Sequence, residues 1–228
     1  VPVTDYASLV MAFKHGDVML AWFGGLTGVQ ARSFTPRSEM IVQRPRDKTF
    51  TSVFIANTSV TANSLDDLKG TRFTFGSTNS TSGHLMPRLF LLEAGVDPEK
   101  DFDEVPNFSG SHDLTWKLVE SGSFETGVLN SSVWNRAVSD GNVDESKVRV
   151  VFETPSYVDY HWLAHPDIDE IWGEGTTQKI TDAFLGLTAD DELRRKILEL
   201  FDTESFVGAD SSDYSDIEEV ARSLNMLQ

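Results

Sequence analysis

The sequence predicts an α/β fold with mostly parallel sheets, and two observations carry that prediction. Short apolar runs, typical of buried parallel strands, alternate with amphipathic helical segments along the whole chain. Glycine, serine or aspartate bounds most of these runs, and such residues end strands and begin helices. This alternation is typical of βαβ units, in which helices cover a sheet. With 228 residues, the chain can form one medium domain or two small lobes.

The first quarter of the chain already shows this rhythm. Residues 1–4 have the pattern of a strand end, and a helix capped by Thr4 or Asp5 is predicted over 6–15. A buried strand is predicted over 18–23, because the run is apolar and two glycines follow it. The elements predicted next are a helix over 26–32, strands over 38–43 and 51–56, and a short capped helix over 64–70.

The rest of the chain repeats the alternation. Strands are predicted over 71–76, 102–108, 124–129, 148–153 and 157–164. Helices are predicted over 80–94, 112–121, 133–139, 176–201 and 216–227. We find no short repeat, low-complexity tract or flexible linker between these elements.

Composition excludes several classes of function. The formal charge of −17, from 36 acids and 19 bases, argues against general nucleic-acid binding, which needs basic patches. Cysteine is absent, so the chain has no disulfide, thiolate nucleophile or zinc–thiolate site. No apolar run is long enough to span a membrane. An anionic ligand would be repelled at long range, so its site would need short-range, oriented donors.

The segment 79–86 is the most informative in the chain. Ser80, Thr81 and Ser82 stand where a predicted strand gives way to a predicted helix. The first N–H groups of a helix lack partners within the helix and carry the positive end of its dipole. Together with three hydroxyls, they make a site for a tetrahedral anion. The alternative is an ordinary helix cap, which would need only one of the three side chains.

Four short motifs extend this observation to the rest of the chain. They are Asp17–Gly24, Asp66–Gly70, Ser80–Pro87 and Ser109–Asp113. In this order and at this spacing they resemble the phosphonate-type substrate-binding proteins of ABC transporters, and the similarity runs over essentially the whole chain. The branch named for phosphite, phosphonate or selenate uptake is most similar.

The resemblance implies a two-lobed, type II periplasmic-binding-protein fold with a two-strand hinge and a ligand held in the cleft between the lobes. Residues 1–56 and 157–228 would form lobe one, and residues 57–156 lobe two. Members of this family carry one more strand and helix before the point where this chain starts. Lobe one is therefore expected to be incomplete at its N-terminus.

The resemblance also implies a set of ligand-binding residues. Ser80, Thr81 and Ser82 match the segment that grips the anion, and His112 matches a histidine that contacts the ligand. Phe50 stands where relatives often carry a tyrosine, which removes one hydroxyl donor. The remaining candidates, for which a structural role is an open alternative, are Phe23, Asn130, Tyr157 and Asp159.

Asp159 would bear on the choice of ligand. A carboxylate beside an anion is unfavourable unless the ligand carries a proton to share. Phosphite, phosphate and phosphonates can carry one near neutral pH, whereas sulfate and selenate do not. Asp159 in the cleft would therefore indicate a phosphorus oxyanion, and its absence would leave a sulfate-like or selenate-like ligand open.

The sequence thus predicts the solute-binding component of an ABC importer, which captures a small oxyanion without chemistry. We expect no cofactor, catalytic residue or metal site, because the five histidines form no metal-ligand motif. An enzyme or a ligand sensor of the same fold is the alternative. We expect a monomer that meets a membrane permease in a periplasmic or extracellular location, with lipid anchoring left open.

Overall fold

The computed structural model describes residues 5–227, so the strand end predicted at 1–4 lies outside the described residues. The strands are β1 (Leu20–Phe23), β2 (Glu39–Gln43), β3 (Ser52–Asn57), β4 (Phe73–Phe75), β5 (Asn107–Phe108), β6 (Thr126–Asn130), β7 (Val148–Glu153), β8 (His161–Ala164) and β9 (Val207–Gly208). The helices are α1 (Tyr6–Lys14), α2 (Gly25–Phe34), α3 (Met86–Glu93), α4 (His112–Glu120), α5 (Ser131–Ser139), α6 (Ile168–Trp172), α7 (Thr176–Leu185), α8 (Glu192–Leu200) and α9 (Ser215–Ser223).

Most predicted elements are present, with several differences in extent. The helix predicted over 176–201 is two helices, α7 and α8, and the strand predicted over 102–108 is regular only as β5. The helix predicted over 64–70 is a single 3₁₀ turn, Asp66–Leu68. The strand predicted over 157–164 is regular only as β8, with one isolated bridge at Tyr157. The helix predicted from residue 80 begins as a π-helical turn, Thr81–Leu85, and continues as α3.

The described chain divides into two compact units. Unit 1 contains the residues up to Phe50 and from Tyr157 onward, and unit 2 contains Thr51–Ser156. Residues 51–56, expected in lobe one, therefore belong to unit 2. The reason is that β3 pairs along its length with β6 and β7, both of which lie in unit 2.

The sheet of unit 1 corrects the prediction of mostly parallel strands. Its order is β1-β8-β2-β9, and every pairing in it is antiparallel. Because β1 and β2 both run against β8, they are parallel to each other, as the connection through α2 requires. The alternation of strands and helices therefore predicted their parallel direction correctly. It did not predict that β8, which follows the return of the chain to unit 1, lies between them.

The sheet of unit 2 repeats this arrangement. Its order is β5-β4-β6-β3-β7, in which β4 pairs parallel with β5 and β6 while β3 runs against β6 and β7. β6 and β7 are thus parallel strands separated by β3. In each unit, a strand distant in sequence separates two parallel strands, and alternation along the chain cannot reveal that.

Both faces of the unit 2 sheet are buried around β3. Alternate residues of β3 point to different clusters: Phe54 packs among Phe73, Phe75 and Leu91, whereas Ile55 packs beside Trp116. A strand buried on both faces is continuously apolar, as the sequence of β3 is. This sheet holds its strand ends in fixed positions. None of the helices within residues 5–227 has the length and apolar character that a membrane-spanning helix needs.

Candidate functional site

One edge of the unit 2 sheet collects the polar segments that the sequence analysis singled out. β4, β5 and β6 are mutually parallel, so their carboxyl ends face the same edge. The π-helical turn leading into α3 follows β4, α4 follows β5, and α5 follows β6. Three helix N-termini therefore converge on this edge, each with partial positive charge. We call it the strand–helix edge.

Backbone hydrogen bonds fix the loops of the strand–helix edge against one another. The N–H of Gly76 donates to the carbonyl of Gly83 (2.8 Å), and the N–H of Gly110 donates to the carbonyl of Gly76 (3.1 Å). Ser52, at the start of β3, donates its hydroxyl hydrogen bond to the carbonyl of Ser82 (2.7 Å). The hydroxyl segment and the loop before α4 are therefore held as one rigid group.

The three neighbouring hydroxyl residues are all buried, and they differ in what they contact. Ser80 is the helix cap, because its Oγ accepts from the N–H of Gly83 (2.9 Å). Ser82 is 1% exposed, and its Oγ has no hydrogen-bond partner among the described residues. Thr81 lies between them and is 3% exposed. A buried hydroxyl without a partner is unfavourable, so the Ser82 hydroxyl is an unused donor at this edge, and its contact with a ligand stays a prediction.

His112 is the first residue of α4 and lies at the strand–helix edge. Its Nδ1 accepts a hydrogen bond from the backbone N–H of Asn130 (3.3 Å), which places the ring proton on Nε2. Burial lowers the pKa of His112 to about 4, although the nearby Asp113 carboxylate opposes that change. At neutral pH the ring is uncharged, and its Nε2–H has no partner among the described residues. It can donate to an anion as a neutral group.

Glycine permits the close approach of these groups. A Cβ atom on Gly83 would lie 3.0 Å from Cε1 of His112 and 3.0 Å from Oγ of Ser80. A Cβ atom on Gly76 would lie 3.2 Å from the Cα of Gly83. Both positions thus bring the hydroxyl segment and the imidazole into contact. The structure therefore brings together Ser80, Thr81, Ser82 and His112, as the resemblance implied.

Asn130, the last residue of β6, also lies at the strand–helix edge. Its Oδ1 accepts from the N–H of Val133 (3.1 Å), so the side chain caps α5. Ser131 was not among the predicted site residues, yet it is buried and hydrogen-bonds the Thr51 hydroxyl (2.8 Å). A signal was available, because serine follows each of the three parallel strands within a few residues.

His84 has a different role from His112, although it lies in the same turn. Its Nδ1 bonds the carbonyl of Thr78 (2.8 Å), and its ring packs edge-on against Phe75 and Phe108. Burial lowers the pKa of His84 to about 4. It is a packed, neutral histidine with a partner for each ring nitrogen, since Nε2 faces Arg88 at 3.3 Å.

The other predicted ligand residues belong to unit 1. Phe23 ends β1, is 1% exposed and packs edge-to-face on Phe13. Phe50 and Tyr157 pair as an isolated antiparallel bridge, with their rings 6.2 Å apart between centroids. These contacts give all three residues a packing role within unit 1. Their contact with a ligand stays a prediction.

Asp159 contacts a helix N-terminus of unit 1. Its Oδ1 accepts from the N–H of Gly25, the first residue of α2, at 2.8 Å. The residue is 1% exposed, and a buried carboxylate there is stabilised by the helix dipole. This structural role was one of the two alternatives, and the ligand role stays a prediction. Among the described residues, no group of three His, Cys, Asp or Glu side chains could hold a metal ion.

A family model described as "ABC transporter, phosphonate, periplasmic substrate-binding protein" matches residues 1–214. The probable ABC transporter phosphite binding protein PhnD1 of Prochlorococcus marinus (strain MIT 9301) is 43% identical over 234 residues. That match covers 100% of this chain and 79% of the relative. The phosphate-import protein PhnD of Mycolicibacterium smegmatis (strain ATCC 700084 / mc(2)155) is 27% identical, over 68% of this chain and 51% of the relative.

A solved structure gives the same result. PhnD1 from Prochlorococcus marinus (MIT 9301), in complex with methylphosphonate, superposes with a TM-score of 0.94 at 44% identity. The match covers 100% of this chain and 86% of that one. The predicted fold class is confirmed, apart from the strand directions corrected above.

Proposed function

The chain belongs to the phosphonate family of periplasmic substrate-binding proteins of ABC transporters, and from that membership we propose that it binds phosphite or a small phosphonate at the strand–helix edge of unit 2. Members of this family are transport proteins, not enzymes. The resemblance drawn from the four sequence motifs is thereby confirmed. The identity of the ligand and the residues that hold it are the proposal.

One observation supports the location above all others. The Ser82 hydroxyl is buried and has no partner within residues 5–227, and it lies in the same rigid group as the neutral Nε2–H donor of His112. The N-termini of α3, α4 and α5 add oriented dipoles to these donors. A net charge of −17 excludes capture by long-range attraction, so neutral donors at short range suit this chain.

The similar proteins support the choice of ligand. PhnD1 is named for phosphite binding and was solved with methylphosphonate, whereas the more distant PhnD is named for phosphate import. A sulfate-like or selenate-like ligand is the second candidate. The neutral donors at the strand–helix edge would serve any tetrahedral oxyanion, so selectivity must come from another group. Asp159 is the candidate, through the proton that a phosphorus oxyanion can share with it.

Calorimetric titration with phosphite, methylphosphonate, phosphate, sulfate and selenate tests the proposal. We expect phosphite or methylphosphonate to bind at least about ten-fold tighter than sulfate and selenate, a difference of about 1.4 kcal/mol. The Asp159→Asn variant should reduce the difference in affinity between the phosphorus oxyanions and sulfate or selenate. Equal affinity for all five anions would contradict the choice of ligand. Tightest binding of sulfate or selenate would favour the second candidate.

Family membership indicates the kind of partner, a membrane permease, and a periplasmic location. A periplasmic substrate-binding protein delivers its small ligand to a membrane permease. We propose further that this chain acts as a monomer. Light scattering coupled to size-exclusion chromatography tests this proposal. Radiolabelled fatty-acid incorporation in the native host tests whether the protein carries a lipid anchor, which the sequence leaves open.

A further inference from the structure

A cluster of cationic side chains lies in unit 1, away from the strand–helix edge. A cavity of about 230 Å³ opens between α2, the loop that follows it, and α9. We call it the arginine pocket. Its lining residues are Val29, Arg32, Ser33, Pro36, Arg37, Glu218 and Arg222. Three guanidinium groups and one carboxylate give the arginine pocket a local charge of +2 in a chain whose net charge is −17.

Within residues 5–227, two of the three guanidinium groups lack partners. The side chains of Arg32 and Arg37 form no hydrogen bond or ion pair in that part of the chain. Six of the other arginines form ion pairs with carboxylates: Arg44, Arg46, Arg72, Arg88, Arg194 and Arg195. Arg149 donates to the backbone carbonyl of Ala62 instead. With 36 acids available against 19 bases, two arginines left free beside the same cavity need an explanation.

The third arginine keeps donors available. Arg222 bonds Glu218 one turn earlier on α9, at 2.7 Å. A guanidinium has five N–H donors, and this contact uses one of them. Glu218 thus orients Arg222 without using up its capacity to bind an anion.

The backbone positions Arg37 in a specific way. Its φ angle is +74°, in the left-handed region that side-chain-bearing residues seldom occupy. The turn is fixed on both sides, since Ser38 donates to the carbonyl of Thr35 from its N–H (3.3 Å) and from its hydroxyl (2.7 Å). Strain of this kind persists only where the surrounding structure holds it, and it is concentrated at binding sites.

We propose that the arginine pocket is a second anion site, specific for the phosphate group of a small organic phosphate or of a lipid headgroup. Guanidinium groups bind phosphate oxygens in a bidentate manner, and a phosphomonoester dianion balances the local charge of +2. The cavity has more room than inorganic phosphate needs, and Val29 and Pro36 supply an apolar wall for an organic group. This proposal is independent of the strand–helix edge.

The test uses glycerol 3-phosphate as the soluble probe and phosphatidylglycerol vesicles as the lipid probe. Binding is measured by calorimetry and by vesicle co-sedimentation, with glycerol and phosphatidylcholine vesicles as uncharged controls. We expect the double variant Arg32→Gln/Arg37→Gln to weaken binding by at least about ten-fold. The matched control, Arg194→Gln/Arg195→Gln, removes the same charge from α8 and should leave binding unchanged.

Each outcome decides the proposal. Binding of either probe that depends on Arg32 and Arg37 supports it, and the probe that binds identifies the source of the phosphate group. Binding of glycerol 3-phosphate that is lost in Ser82→Ala but kept in the double variant belongs to the strand–helix edge and overturns it. If the double variant and its matched control lose the same affinity for the probes, net charge alone controls binding. If neither probe binds the wild-type protein, the proposed site does not exist. Preference for poly-glutamate over both probes would assign the arginine pocket to an acidic protein partner instead.

Discussion

Ser80 and Ser82 carry the same functional group two residues apart, yet the structure gives them opposite properties. Ser80 satisfies the N–H of Gly83, whereas the Ser82 hydroxyl is buried with no partner among the described residues. The difference arises because only the N-cap residue directs its side chain back to the N–H groups of the first turn, and here that residue is Ser80. A structural serine and a ligand-binding serine should therefore separate in experiments.

We predict that Ser82→Ala weakens phosphite or methylphosphonate binding by about 1–3 kcal/mol, the cost of a hydrogen bond to a charged group. The same change should leave the free energy of unfolding of the ligand-free protein unchanged or slightly higher, because it removes an unsatisfied buried hydroxyl. Calorimetry and urea denaturation measure the two quantities.

Ser80→Ala is the matched comparison. Loss of the cap should lower the free energy of unfolding by about 1 kcal/mol. Should Ser82→Ala destabilise the free protein as much as Ser80→Ala does and leave affinity intact, the Ser82 hydroxyl would have a structural role and the site would be misplaced.

The sequence indicated that the hydroxyl segment, residues 80–82, precedes a helix, but it could not indicate which of the two serines caps that helix. All three side chains are favourable helix caps, and the choice depends on where the first helical turn starts. The π-helical turn Thr81–Leu85 determines where the first helical turn starts, and no sequence pattern predicted a π-helical turn there. Asp159 shows the same limit, because its contact with Gly25 joins residues far apart in the chain.

At the scale of elements, the turn between β4 and α3 has to approach the start of α4 closely. Gly83 allows this approach, since a Cβ atom there would lie 3.0 Å from both Cε1 of His112 and Oγ of Ser80. Neither neighbour can move freely, because His112 is held by Asn130 and Ser80 caps the helix.

We predict that Gly83→Ala displaces the imidazole and weakens anion binding by at least about ten-fold, because His112 and the hydroxyl segment then no longer converge. Gly208→Ala is the control, since a Cβ atom at Gly208 meets no atom within 4 Å. Titration calorimetry of both variants provides the measurement. Wild-type affinity in Gly83→Ala would show that the close contact is dispensable for binding.

The topology of the elements shows what alternation along a chain can and cannot predict. The sequence indicated most of the strands and helices, and it predicted correctly that β4, β5 and β6 run parallel, but it indicated neither α6 nor β9. It did not reveal that β8 separates β1 from β2, or that β3 separates β6 from β7. Both insertions come from strands near the points where the chain passes between units, and their partners are set by long-range packing.

At the scale of the whole molecule, a strongly acidic protein contains several buried neutral histidines. Burial lowers the pKa of His84 and of His112 to about 4 and that of His161 to about 3, from 6.5. His84 and His112 belong to unit 2, and His161 belongs to unit 1. Their imidazoles are fully or nearly fully removed from water, and folding therefore prevents them from binding protons.

This has a defined consequence for stability. Below pH 6.5 the unfolded chain takes up a proton on each of these histidines, whereas the folded chain does so only near pH 4 or 3. The free energy of unfolding should thus fall as pH drops from about 6.5 to about 4, by about 1.4 kcal/mol per pH unit for each histidine. Asp47, whose pKa is raised by burial, acts in the opposite direction over part of this range.

Urea denaturation followed from neutral pH to about pH 5 measures the effect, with separate probes for the two units because they need not unfold together. Unit 2 should lose stability about twice as steeply as unit 1, since it contains two of the three histidines. His161→Gln should flatten the pH dependence of unit 1, whereas His15→Gln removes an exposed imidazole and leaves all three buried ones in place. A pH dependence that survives His161→Gln in unit 1 would show that carboxylates, not this imidazole, control its acid stability.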